Sequence, residues 1–319
     1  MTIRPGRERS SRMKFGLRLA GYFCICTLLC ASPCWGEKPL DLPTPPACPT
    51  CCETLKPYPG ISADNLMKIK YFIKYTQFAQ DYTGIGLFKL INRKNYTRTR
   101  EWHRYRMTLT NRSDLYDFKD LVVIMEPENI RGIAVLSWTY RDPAKDSEVW
   151  LWLPSLRKVR KTSQAEADDP FMGTEWTTEE VSTRRWEDET YTALPDKKFQ
   201  GYTSAFNGKT YHKDTPCFVV EAQPKRKDWY YSKRIAWIDK RFGGLIFDEV
   251  YDTTGKKNKE FLKEYGLWEN GCLPQTYLEL VNLLTNDLTI VSFNEEDIKF
   301  NTGLKEDFFT EKTLMRSRW

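Results

Sequence analysis

The sequence predicts a mainly β (α+β) protein built on a strongly curved antiparallel sheet. Two observations predict it: hydrophobic residues alternate with period two in about eleven runs after Gly86, and no long helical segment separates those runs. A third is one amphipathic helix before the first run. Parallel strands need long crossover connections, so sequential antiparallel pairing is expected.

The first 36 residues are typical of a secretory leader. A basic start precedes the apolar run LAGYFCICTLLCA, and small residues in CWG predict cleavage after Gly36. The run is too short to cross a bilayer, which takes roughly 20 helical residues; an uncleaved anchor is the alternative. Removing the six basic residues and one acidic residue of the leader leaves 43 basic and 42 acidic residues. The near-neutral remainder argues against a nucleic-acid partner.

A proline-rich tether follows, over residues 37–59, and we expect residues 60–319 to form a single domain. Five cysteines remain after the leader: Cys48, Cys51, Cys52, Cys217 and Cys272. The sequence CPTCC lacks a second pair of zinc ligands, so a local disulfide is the simpler interpretation. Cys217 and Cys272 could form a second bridge, but sequence gives no distance between them.

The first structural element is a helix that begins at Ser62. Ser62 is a suitable N-cap, and Asp64 lies at the positive end of the helix dipole. Apolar residues then recur at three- and four-residue steps, which predicts an amphipathic helix of roughly 20 residues. It should end before Gly84.

The strands come next, separated by turn signals such as Asn207-Gly208 and Thr254-Gly255. The eleven runs are IGLFKLINR, TRTREWHRYRMTL, KDLVVIME, GIAVLSWTY, EVWLWLP, PCFVVEAQ, SKRIAWID, GLIFDEVYD, KNKEFLKEYGLW, QTYLELVN and LTIVSFNEEDI. Each strand of a long meander is rotated by about 20 to 25° from its neighbour, so the sheet curls and gains a concave face. That face can be filled by closure into a barrel, by a helix, or by an apolar ligand.

The segment DPFMGTEWTTEEV, residues 169–181, places apolar side chains among charged neighbours. Thr177 and Glu180 have the spacing of a capping box, which predicts a second short helix from Thr178 to near Trp186. We interpret Phe171, Met172 and Trp176 as contacts of a lid over the concave mouth. The alternative is a satellite core under a long loop.

The same stretch resembles a known family. EVWLWLPSLRKVRKTSQAEADDPFMGTEWTTEEV is similar to the strand, basic run, turn and cap of outer-membrane lipoprotein-sorting (LolA-like) proteins. YHKDTPCFVVEAQPK, RIAWIDKRFGGLIFDEVYDTTGK and IVSFNEEDIKFNTGLKEDFFTEKTL resemble later segments of that family in the same order. Together they cover roughly residues 62–316.

The resemblance implies an unclosed β-barrel with a helical lid, exported to the periplasm. Its hollow would take up acyl chains of lipoproteins or other lipids, for transfer toward the outer membrane, with an inner-membrane transporter and an outer-membrane acceptor as partners. It implies no enzymatic activity and no cofactor. The alternative is a non-catalytic periplasmic adaptor that works with a membrane transporter. The strand TRTREWHRYR departs from the family pattern, so the identity of the bound cargo is not inferred from the family.

Two sets of side chains are candidates for ligand contact. The cavity and lid candidates are Phe72, Trp138, Trp150, Trp152, Phe171, Met172 and Trp176. The alternation in VWLWL makes both faces of that strand apolar, so it does not show which face points inward. Arg98, Arg100, Arg104 and Arg106 share one face of another strand and could bind lipid phosphates or a membrane surface. A solvated convex face is the alternative.

Catalytic and metal-binding motifs are absent from the sequence. It contains only two histidines, His103 and His212, and neither has partners at ligand spacing. We therefore expect no catalytic residues and no metal site.

Overall fold

One antiparallel sheet dominates the computed structural model of the chain. The structure describes residues 57–75, 79–110, 112–162, 168–181, 184–266, 274–293 and 295–316, all within the compact unit Leu40–Trp319. The helices are α1 (Ala63–Tyr75), α2 (Thr178–Val181) and α3 (Glu311–Leu314). The strands are β1 (Asp81–Ile91), β2 (Thr97–Thr108), β3 (Tyr116–Glu126), β4 (Ala134–Tyr140), β5 (Glu148–Leu153), β6 (Lys158–Lys161), β7 (Glu189–Lys198), β8 (Tyr202–Thr203), β9 (Thr210–Tyr211), β10 (Pro216–Pro224), β11 (Tyr231–Asp239), β12 (Leu245–Asp252), β13 (Lys257–Tyr265), β14 (Gln275–Asn282), β15 (Asp287–Phe293) and β16 (Lys299–Phe300).

The main sheet has 14 strands in the order β6-β5-β4-β3-β2-β1-β15-β14-β13-β12-β11-β10-β7, with β16 paired to β1. Each paired neighbour is antiparallel, and β6 and β7 form the two edges. The predicted antiparallel, unclosed architecture is confirmed, and the eleven predicted runs all form strands of this sheet. The predicted number of strands was too low because β6, β7 and β16 are short or mostly polar and show no hydrophobic alternation.

Helix α1 lies on the concave face near one end of the sheet. Its apolar side packs against β10, β11 and β12, in a cluster of Ala63, Leu66, Met67, Val220, Ala236, Ile238 and Leu245. Gly243 lies in the turn between β11 and β12 with φ +82°, and a Cβ there would be 2.9 Å from the Ile69 side chain. Glycine at this position therefore allows the helix to approach the sheet closely.

The predicted start of α1 is confirmed, and its predicted length was too great. Ser62 Oγ accepts a hydrogen bond from Asn65 N at 3.2 Å, as expected of an N-cap. The helix has 13 residues and ends at Tyr75, because the chain from Asp81 already pairs as β1.

A C-terminal segment covers part of the convex face. Residues 302–304 donate three backbone N–H groups to the carboxylate of Asp81, which anchors the segment to β1. Beyond it, Phe309 is fully buried against β3, β4 and β5. Both faces of these strands are therefore covered, which explains why the run EVWLWLP is apolar on both sides.

Several predictions concern residues outside the described ranges. They are the signal peptide 1–36 with cleavage after Gly36, most of the tether 37–59, Cys48, Cys51, Cys52, and Cys272. Within the described ranges, no helix has the length and apolar character needed to cross a bilayer.

Candidate functional site

A cavity of about 200 Å³ lies on the concave face between α1 and the segment 168–181. Ten consecutive strands of the sheet, from β5 through β1 and β15 to β11, each contribute side chains to its wall. Val149 of β5 and Arg234 of β11 can line one cavity only because the sheet curls around it. The curvature predicted from strand twist thus produces a real hollow.

One part of the cavity wall is apolar and largely aromatic. Trp102 stacks on Phe88 with ring centroids 5.3 Å apart, and Trp176 meets Phe88 edge-on at 6.1 Å. The apolar lining comprises Phe88, Trp102, Val122, Val135, Val149, Phe171, Trp176, Val181, Val250, Phe261, Leu278, Val291, Phe293 and Ile298. This part of the wall suits a hydrocarbon chain.

Gly86 of β1 allows Trp102 to lie flat against the neighbouring strand. A Cβ at position 86 would be only 2.5 Å from the indole ring of Trp102. A side chain at this residue would push the ring into the cavity, so Gly86 helps to keep the apolar part open.

The other part of the wall is charged, which the prediction of an apolar hollow did not include. Its cations are Lys70, Lys74, Arg104, Arg106, Arg184, Arg234 and Lys263. Asp120 receives Arg104 and Arg106, at 2.7 and 2.6 Å.

Arg234 is the centre of a buried ion cluster at the floor of the cavity. It is 1% exposed and donates to Glu189 at 2.6 Å and to Asp248 at 2.8 Å, on opposite sides of its guanidinium. Lys263 Nζ also contacts Asp248, at 3.1 Å. Burial is the largest single effect and would raise the pKa of Glu189 and Asp248, but the combined charges of Arg234 and the other nearby cations outweigh it and lower each pKa to about 2.

Three lysines at the cavity have lowered pKa values. Burial, reinforced by nearby arginines, lowers the pKa of Lys74 to about 7. Burial also lowers the pKa of Lys263 to about 8, against the opposing effect of Asp248. The pKa of Lys70 lies well below the usual lysine value, first because of burial and then because of Arg234. Burial thus brings the pKa of Lys74 and of Lys263 close to neutral pH.

The segment 168–181, here called the lid, has its own internal structure. Phe171 N donates to Trp176 O at 2.7 Å, so the segment folds back on itself. Thr177 N donates to Glu180 Oε2 at 2.8 Å and Glu180 N donates to Thr177 Oγ1 at 3.1 Å. The predicted capping box is confirmed. The helix it starts, α2, extends only to Val181 rather than to near Trp186.

Polar contacts hold the lid to the sheet around the edge of the cavity. Lys259 Nζ on β13 contacts Glu180 Oε2 at 3.1 Å, and Asn282 Nδ2 on β14 donates to Glu175 Oε2 at 2.7 Å. On the opposite side, Arg100 of β2 donates to the carbonyl oxygen of Met172. The apolar side chains of Phe171 and Trp176 point between these contacts into the cavity.

The comparisons with known proteins agree with this geometry. A protein-family model described as "-like: Uncharacterized protein" matches residues 117–316, more than half of the chain. The chain belongs to this family. A search of curated proteins finds no match.

Solved structures identify the fold of this family member as LolA-like. An outer membrane lipoprotein-sorting protein domain from Vibrio parahaemolyticus is 24% identical, with a TM-score of 0.67 over 80% of this chain and 98% of that chain. A DUF1329 family protein from Desulfovibrio piger is 17% identical, with a TM-score of 0.66 over 79% and 98%. A LolA superfamily protein from Nitrosomonas europaea is 14% identical, with a TM-score of 0.57 over 79% and 99%. The predicted resemblance is confirmed at the level of the fold.

The structure brings only part of the predicted aromatic set to the cavity. Phe171 and Trp176 line it, while Met172 packs beside them on the lid without lining it. Phe72 is half-buried on α1 against Tyr71 and does not line the cavity either.

Trp138, Trp150 and Trp152 lie on the convex face, so their assignment to the cavity is corrected. They belong to the cluster beneath the C-terminal segment, where Trp138 Nε1 donates to Phe309 O at 3.0 Å. Their strand neighbours Val135 and Val149 face the cavity instead. The sequence could not decide this, because the covering segment lies far along the chain.

The arginine face of β2 divides along its length. Arg104 and Arg106 line the cavity, Arg100 holds the lid, and Arg98 is exposed. For Arg104 and Arg106, the alternative of a solvated convex face does not apply. Sequence reasoning missed the lysines of α1, whose only signal was two lysines four residues apart on an otherwise apolar side of the helix.

Other reactive groups lie away from the cavity. His212 Nε2 is 2.9 Å from Glu264 Oε2, and His103 lies beside Glu101. Cys217 is a free, buried thiol whose pKa is raised to about 12 by burial. In the described part of the chain, no group of three metal-ligating side chains is found.

Proposed function

We propose that this protein is a periplasmic carrier that holds the acyl chains of a lipid or lipoprotein in the cavity under the lid, for transfer toward the outer membrane. The observation that supports this most is a hollow lined with aromatic and aliphatic side chains and covered by a separately folded segment. The LolA-like fold and the secretory leader motif agree with it. An inner-membrane donor and an outer-membrane acceptor are part of this proposal.

The size of the cavity limits what the closed form can hold. An apolar cavity of about 150 Å³ accepts benzene, so a volume of about 200 Å³ admits one short stretch of hydrocarbon chain. Each methylene moved from water stabilises the complex by about 0.8 kcal/mol. A longer chain fits only if the lid moves outward. The length of hydrocarbon chain that is bound therefore depends on lid opening.

The lid contacts are suited to reversible opening. Lys259, Asn282 and Arg100 hold it by polar bonds that each involve a charged group, and each such bond contributes about 1.5–3 kcal/mol net because water replaces it on opening. A carrier must release its cargo, and a lid held by a few such bonds permits this.

We propose binding rather than catalysis for this cavity. The carboxylates Asp120 and Asp248 are each held ionised by two cations, so neither is free to act as an acid at neutral pH. Carboxylates held in this way fix the positions of the neighbouring cations and do not donate protons.

The proposal is tested by extracting gently purified protein with solvent and identifying bound acyl material by mass spectrometry. A fluorescent fatty-acid probe then tests the location of the site. Val135→Trp fills the cavity and should abolish probe uptake, while Leu156→Trp, at an exposed position, should leave it intact. Absence of both acyl material and probe uptake would instead favour the adaptor alternative.

A further inference from the structure

Among the described residues, the cations that line the charged part of the cavity outnumber the carboxylates that line it. Seven cationic side chains line it, and the carboxylates bonded to them within the described ranges include Asp120, Glu179, Glu189 and Asp248. Glu180, which also lines the cavity, is paired with Lys259 at 3.1 Å. The excess positive charge lies beneath the lid, where water screens it poorly.

Lys70 is the clearest sign of a missing anion. Its side chain lies on α1, is 8% exposed and lines the cavity. Among the described residues, no hydrogen bond or ion pair to its ammonium group is found. A buried ammonium without a partner is costly, and this cost is what lowers the pKa of Lys70.

Two other ammonium groups approach Lys70. Lys74 is one helical turn further along α1 and therefore on the same side of the helix. Lys263 reaches the cavity from β13, and both line the same hollow. Lys74 and Lys263 each lower the pKa of Lys70 further, and Lys74 also lowers the pKa of Lys263.

We propose that the cavity binds an anionic amphiphile, whose oxyanion group lies among Lys70, Lys74 and Lys263 while its chain lies along the apolar wall. This inference rests on the proposed function and names its ligand class. A carboxylate and a phosphate could each accept hydrogen bonds from these ammonium groups, Lys70 above all, since each presents several acceptor oxygens. A neutral acyl chain would leave Lys70 unpaired.

An anion bound here raises the lysine pKa values and takes up protons. The groups facing Lys70 are Arg234, Lys74, Lys263 and Asp248. Those facing Lys74 are Arg184, Arg106, Arg104 and Glu179. With the pKa of Lys74 at about 7 and that of Lys263 at about 8 in the empty protein, affinity for an anion falls as pH rises through this range.

The test compares dodecanoate, dodecyl phosphate and dodecanol by calorimetric titration of the full chain, below the concentration at which they form micelles. The two anions should bind about tenfold or more tightly than the alcohol, as expected for hydrogen bonds to charged groups. The titrations are repeated in buffers of different ionisation enthalpy, where anion binding should show net proton uptake and dodecanol binding should not. Tighter binding of dodecyl phosphate than of dodecanoate would identify a phosphate head group, and the reverse a carboxylate.

Lys70→Met should lower the ratio of dodecanoate to dodecanol affinity toward one. Lys68→Met is the matched control, because Lys68 lies on the exposed side of α1 over the Trp186 ring, and should keep the wild-type ratio. Lys70→Gln is a second variant should the methionine variant fail to fold. Equal binding of anion and alcohol by the wild type would overturn this inference and leave the carrier proposal standing. Binding of none of the three compounds would overturn the carrier proposal itself.

Discussion

Replacing Arg234 by methionine should destabilise the protein strongly at neutral pH. The side chain is 1% exposed and is hydrogen-bonded to two carboxylates that are themselves buried, Glu189 and Asp248. In the variant, Asp248 still pairs with Lys263, and Glu189 still accepts a hydrogen bond from the hydroxyl of Tyr231 at 2.8 Å. Breaking a buried ion pair by removing one partner costs about 3–5 kcal/mol. We expect a loss of this size at pH 7.

The pH dependence of this loss follows from the pKa shifts. In the wild type the pKa of both carboxylates is about 2 when folded, below the value near 4 in an unfolded chain. Their pairing therefore stabilises the fold above pH 4, and this contribution disappears as pH falls toward 2. Without Arg234 the carboxylates lose this pairing at pH 7, so the difference between variant and wild type should shrink below pH 4.

Urea unfolding followed by circular dichroism measures both effects. Slopes near the upper end of about 1–3 kcal/mol per M convert the expected loss into a midpoint roughly 1–2 M lower at pH 7. Lys240→Met is the control, because Lys240 pairs with the exposed Asp196 at 2.7 Å and should cost less than about 1 kcal/mol. Equal midpoints for the two variants would refute the reasoning about the buried cluster.

Three further predictions concern the lid, the convex face and the lysines. Thr177→Ala removes one bond of the capping box and should destabilise the lid by about 1 kcal/mol, seen as faster amide exchange in residues 168–181 but not in β11. Trp138→Phe loses the bond to Phe309 O and should cost about 1 kcal/mol while leaving fatty-acid uptake intact; reduced uptake would return Trp138 to the site. Because the folded pKa of Lys74 and Lys263 lies below the unfolded value near 10.5, the unfolded chain binds more protons above pH 7, so the delipidated protein should become more stable from pH 7 to about pH 8, below the range in which the Cys217 thiol, whose pKa is raised to about 12 on folding, opposes this trend. A urea midpoint that falls over this range would contradict the lowered pKa values.

The strands of the sheet could be predicted from sequence, and the contacts between their faces and other elements could not. Alternation in EVWLWLP shows a strand, but a strand covered on both sides gives the same pattern whichever side faces the cavity. The decision depends on Phe309, whose position beneath β4 is a tertiary contact with no local signal.

The lid could be predicted from the sequence because its signal is local. The capping box between Thr177 and Glu180 spans three residues and depends on nothing outside the segment. The charged part of the cavity had no comparable signal, because Lys70 and Lys263 belong to elements far apart in the chain. A lysine in an amphipathic helix is ordinarily exposed to solvent. Its burial becomes apparent only from the sheet that curls around the helix.

The pairing of β1 with β15 has a consequence for biosynthesis. Phe88 on the first strand lies opposite Val291 on the fifteenth, so the middle of the wall is completed by residues from near both ends of the folded region. Contacts between such distant residues form late, after most of the chain is available. A chain still on the ribosome therefore cannot complete the wall of the cavity until residues 287–293 have been synthesised.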